Sequence, residues 1–62
     1  MSAAHNRPCA ARGLHSYRFA HAHGYVMIGA LDEADAMFQA RRSTDAPGTL
    51  ERWNGRTYEP LA

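Results

Sequence analysis

The stretch LHSYRFAHAHGYVMIGA, residues 14–30, sets an alternating run, LHSYRFA, and a β-rich run, YVMIGA, on either side of a histidine- and glycine-containing break. Directly after it, at Leu31, the repeat changes from two residues to a helical period. A chain that switches period across one peptide bond must set a β-hairpin next to a helix. In the first arm His15, Tyr17 and Phe19 fall on one side, Ser16 and Arg18 on the other, as a half-buried strand requires. Residues 25–30 form a second β-rich run, bounded by Gly24. If the AHAHG break holds an even number of residues, Phe19 lies opposite Val26 or Ile28, and Tyr17, Phe19, Val26 and Ile28 share one face. That face is the candidate core. Its reverse carries Arg18, Ala20, Tyr25, Met27 and Gly29, which is apolar for a surface facing water and calls for a cover.

In LDEADAMFQARR the residues Leu31, Ala34, Met37, Phe38 and the stem of Arg41 recur at helical spacing and predict the buried stripe of a helix. Asp32 fits the N-cap, Asp35 stands three residues on as in a capping box, and Glu33 suits the positive end of the helix dipole. Arg41 and Arg42 suit the other end, and Pro47 and Gly48 stop the helix near residues 43–45. Downstream, Asn54-Gly55 signals a second hairpin. A two-residue turn pairs Trp53 with Arg56, whereas a three-residue turn sets Leu50 opposite Tyr58, and the sequence leaves both registers open. Pro60 ends the last strand or puts it on an edge. The expected fold is α+β: a small ββαββ domain over residues 14–62, an antiparallel sheet with one helix packed on one face, after a flexible N-terminal tail over residues 1–13.

A chain of 62 residues buries only about 60% of its unfolded surface. Lining a ligand pocket of roughly 300 Å³ from so few side chains would consume the core, so the expectation is a non-enzymatic protein. No apolar run reaches the eighteen or so residues that span a bilayer, and residues 1–13 lack the apolar core of a signal peptide. With a lone cysteine, Cys9, this places the chain in the cytoplasm and leaves oligomerisation to supplement a thin core. A net charge of +1 is too small to draw the chain onto nucleic acid or an anionic membrane by charge alone.

Among chemical motifs, His21 and His23 have the i, i+2 spacing that lets two imidazoles on a strand grip one metal ion. The facing strand offers no third ligand, which leaves His5 and Cys9 on the tail or the distant His15, so the pair reads more simply as the polar tip of a turn. A nucleophilic Cys9 lacks an orienting scaffold. Asp32, Glu33 and Asp35 are accounted for by helix capping. No catalytic residue, cofactor or metal is assigned. Arg18, Arg52 and Arg56 accompany Tyr17, Tyr25, Trp53 and Tyr58 on the strands and turns. Such residues serve a small core and its rim, a protein interface, or a single-stranded nucleic acid platform.

The run SYRFAHAHGYVMIGALDEADAMFQARRST, followed by LERWNGRTYEP, resembles short uncharacterised proteins encoded in accessory regions, including mobile elements, of GC-rich bacterial genomes. Gly24, Tyr25, Val26, Met27, Ile28, Gly29 and Ala30 carry the resemblance, which spans roughly residues 15–60. It implies an accessory rather than a central metabolic role in a bacterium and carries over no functional residue. The resulting expectation is a homodimeric binding or adaptor protein, with Arg18, Tyr25, Met27, Trp53 and Arg56 as partner-binding residues. Its partner is a second copy or another protein. Single-stranded nucleic acid is the alternative, and a metal-responsive protein using His21 and His23 a third reading.

Overall fold

Four strands and one helix follow in the order ββαββ: β1 (His15–His21), β2 (Gly24–Ala30), α1 (Glu33–Ser43), β3 (Gly48–Trp53) and β4 (Tyr58–Pro60). The computed structural model describes residues 6–61. The strands form one antiparallel sheet in the spatial order β2-β1-β3-β4. The α+β class and the element order expected from the sequence are those of the protein. Because β1 pairs with β2 on one side and β3 on the other, α1 must cross the sheet to join β2 to β3.

The first hairpin closes on a two-residue turn, Ala22 and His23, and sets Phe19 opposite Val26 and Tyr17 opposite Ile28. An even-numbered turn keeps the hydrophobic set of both arms on one side. Tyr17 and Phe19 are fully buried there, with Ile28, Ala30 and Leu50 from the sheet and Ala36 and Ala40 from α1. Val26, Met37 and Leu61 pack around this cluster. Full burial of a side chain such as Phe19 contributes roughly 1.5–3 kcal/mol, so a few of them carry most of a domain this small.

The helix is capped as its sequence predicts. The Asp32 carboxylate accepts the Asp35 N–H at 2.8 Å, and the Asp35 carboxylate accepts the Leu31 N–H at 3.0 Å. At the other end the Thr44 N–H closes on the Ala40 carbonyl. The buried stripe is not the predicted one, however. Ala36 and Ala40 face the sheet with Met37 beside them, whereas Leu31 and Phe38 are 67% and 62% exposed and Ala34 is exposed too. The sequence holds two apolar stripes on this helix. The tall side chains of Tyr17, Phe19 and Ile28 already fill the interior, so the helix approaches through alanine and turns its larger residues outward. Of the predicted stripe, Met37 alone reaches the core, and the Arg41 guanidinium lies over the Phe19 ring at 5.5 Å.

The second hairpin adopts neither expected register. Trp53 pairs with Tyr58 across a four-residue loop, Asn54 to Thr57. The Asn54 side chain accepts both the Arg56 and Thr57 N–H groups, at 2.8 and 2.9 Å, which builds a wider turn than the two-residue form. Only Gly55 in this loop has positive φ, at 103°, whereas a type I′ turn needs it at two successive positions. Pro60 both ends β4 and lies on the sheet edge.

Residues 6–14, read from the sequence as mostly tail, are tied to the sheet face opposite α1. The buried Ser16 hydroxyl accepts the Cys9 and Ala10 N–H groups at 3.0 and 2.9 Å, and Ala10 and Leu14 lie over Gly29. Polar anchors, rather than any periodic apolar pattern, hold this segment, which is why its sequence does not advertise the contact. The first five positions of the expected tail lie outside the described residues.

Candidate interaction surface

The face opposite α1 is built by the strand registers. Arg18 on β1 stands opposite Met27 on β2 and opposite Glu51 on β3. Arg18 Nε donates to Glu51 Oε1 at 2.6 Å, and the two side chains are 11% and 14% exposed. A guanidinium so withdrawn needs further partners, and it has them. Its central carbon lies 4.4 Å from the Tyr25 ring centroid and 4.6 Å from that of Tyr58, while Nη1 donates to Asn6 Oδ1 at 3.1 Å. Such cation–π contacts gain strength as water is excluded. Trp53 then meets the Tyr58 ring edge-on, with centroids 5.1 Å apart and planes at 67°. Each member of the cluster thus fixes the next.

Tyr58 is buried, and its hydroxyl donates to the Arg7 carbonyl at 2.7 Å. Burial, first, and then the hydrogen bond to and electrostatic interaction with Cys9 raise the Tyr58 pKa above its ordinary 10.0, while Arg18 pulls it down. A raised pKa in the folded state contributes stability that is complete below the unfolded value and lost as pH rises above it. Thermal stability should therefore fall above pH 10.0, and Tyr58→Phe should remove part of that fall. Melting curves from pH 8 to 11 check this; parallel decline of both proteins would uncouple the hydroxyl from the fold.

Of the residues singled out from the sequence, Arg18, Tyr25, Met27 and Trp53 come together on this face. Tyr25 is 43% exposed, and Met27 and Trp53 are half-buried. Arg56 is set apart in the exposed hairpin loop, where its backbone N–H is bound to Asn54. Glu51, Ser16 and the anchoring role of Tyr58 were not foreseen. The pairing of opposite charges at 18 and 51 depends on the β1–β3 contact, which no local pattern encodes. A shallow hollow of about 380 Å³ at the outer end of the β3–β4 hairpin is lined by Arg52, Trp53, Asn54, Glu59, Pro60 and Leu61.

The histidine pair sits at the first turn. His21 Nδ1 accepts the His23 N–H at 3.2 Å, and the rings are 6.2 Å apart. His21 lies on the helix side, by Phe19, whereas Cys9 contacts the opposite face. Among the described residues no group of three or more His, Cys, Asp or Glu side chains is arranged to hold a metal ion. His5 lies outside them. Also among the described residues, no helix is long and apolar enough to cross a membrane. Comparison with family models, with curated proteins and with solved structures finds no match.

Proposed function

We propose that the chain is a homodimeric binding or adaptor protein, without chemistry of its own, that engages a protein partner through the sheet face opposite α1. The observation that supports this reading is the Arg18 cluster: a guanidinium held between two tyrosine rings and a carboxylate, flanked by Met27 and Trp53. Arginine, tyrosine and tryptophan with fixed rotamers contribute contact area at little entropic cost, which is the composition of interface hot spots. Arg56, at the tip of the second hairpin, is the fifth contact residue of this reading, and the hollow beside Trp53 is large enough to receive partner side chains.

Single-stranded nucleic acid is the second reading, favoured by the exposed Tyr25 ring over a guanidinium. Glu51 weighs against it, because its carboxylate occupies the guanidinium and would repel phosphate. A photo-crosslinking analogue of phenylalanine at position 25, used in the producing cells, should give a discrete protein adduct that Trp53→Ala removes. Trp53 fluorescence titrated with oligonucleotides at two salt concentrations should stay unchanged. A quench that weakens as salt rises would replace the protein partner by nucleic acid.

A further inference from the structure

We propose that two copies of this chain join through the outer face of α1, antiparallel across a two-fold axis. Phe38 would meet Phe38 of the second copy, and Asp35 would pair with Arg42 of the second copy. This rests on the homodimer of the proposed function and gives it a location, leaving the Arg18 face to another protein. The helix has two apolar stripes, and of its apolar side chains Ala36, Met37 and Ala40 pack into the core. Phe38 and Ala34 are left pointing away from it, and Leu31, just before the cap, adds exposed apolar surface at the end of the same element. Phe38 and Leu31 are the large exposed apolar side chains on the helical side of the described residues.

Charge selects the occupant. The first turn of α1 is acidic, with Glu33 and Asp35, and the last is basic, with Arg41 and Arg42. Asp35 and Arg42 are separated by about two turns and so share one flank of the helix. Under a two-fold axis near Phe38, a flank meets its own copy reversed, so Asp35 of each chain faces Arg42 of the other. Antiparallel helix dipoles add to the attraction. Neither Asp35 nor Arg42 is in an ion pair among the described residues, and Arg42 leans over the Phe38 ring at 5.8 Å, beside the proposed contact. A different protein would have to supply this reversed pattern independently; a second copy carries it by construction. A helix of 11 residues offers less than the roughly 800 Å² per partner of a standard interface, so association belongs to the weak, reversible class.

Sedimentation equilibrium of the full chain from 5 to 500 µM should show a dimer at the upper end. Phe38→Glu should abolish it and Arg42→Glu should weaken it about tenfold, while circular dichroism shows both variants folded, since glutamate is a good helix former at an exposed site. In a Cys9→Ala background, mild oxidation should link copies carrying Phe38→Cys. Copies carrying Leu31→Cys should stay unlinked, because the axis separates those positions by about 20 Å. A dimer insensitive to Phe38→Glu, or one that links at both positions alike, overturns the helix interface and leaves the homodimer to another surface. A monomer at 500 µM overturns the helix interface and the homodimer together, while the photo-crosslink at position 25 still decides the partner on the sheet.

Discussion

Gly48→Ala is expected to lower the thermal midpoint by about 15 °C, or to leave the chain unfolded at 37 °C. Gly48 opens β3 opposite His21, and its φ is not positive, so backbone freedom is not what the position needs. It needs space. A methyl group there would overlap the Ala20 carbonyl oxygen and sit 3.0 Å from two carbons of the Phe19 ring. The ring is fully buried and cannot swing into solvent, and the carbonyl belongs to the central strand. Overpacking of this kind costs about 3 kcal/mol, against a total stability on the order of 3–9 kcal/mol for a chain of this length. Each kcal/mol shifts the midpoint of such a domain by about 5 °C. Gly55→Ala is the control: its φ is positive but no heavy atom lies within 4 Å, so it carries backbone strain alone and should cost less, about 1–2 kcal/mol. Urea denaturation of both variants measures the difference. Equal losses would mean that β3 does not begin against Phe19.

Arg18→Met should destabilise the protein by about 2–4 kcal/mol, although the apolar stem is retained. Glu51 would keep a carboxylate that is 14% exposed with no cation beside it, and an ion stripped of its partner away from water is costly. Some residual exposure reduces the penalty from the fully buried case. Tyr25 and Tyr58 would lose the guanidinium between them. Glu51→Leu alone should cost less, and the double variant should recover part of the loss, because two matched apolar groups are tolerated better than one orphaned charge. A double-mutant cycle in urea should therefore give a coupling of at least about 1 kcal/mol. Strict additivity would mean the pair is incidental to stability, and with it the rigid cluster on which the proposed interface depends.

The elements of this fold were legible because they are local. Alternation over residues 15–19, the change of period at Leu31 and the Asp32 cap each depend on neighbours a few positions away. What the sequence hid is what depends on distance. The choice between two helical stripes was settled by the size of side chains on β1 and β2, which leave room for Ala36 and Ala40 but not for Phe38. The Asn54-Gly55 turn was misread because the side chain of Asn54, rather than its backbone, shapes the loop. Arg18, Tyr25 and Met27 share a face because alternation and the even-numbered first turn place them there, and Trp53 joins them through the β1–β3 register. Their common centre, the Arg18–Glu51 pair, required the β1–β3 register, its partners standing 33 positions apart. The apolarity of the reverse face was noticed from sequence, and part of its cover turned out to be the chain's own residues 7–14.

The bond from Tyr58 to Arg7 spans 51 positions. A growing polypeptide therefore makes the anchoring segment well before its fastener. While β4 is still inside the ribosomal tunnel, Ser16 can already hold Cys9 and Ala10, but the aromatic partner of Trp53 and one wall of the Arg18 cage are missing. Until β4 joins the sheet the cage lacks that wall, so the surface proposed for a partner exists only once the whole sheet has closed.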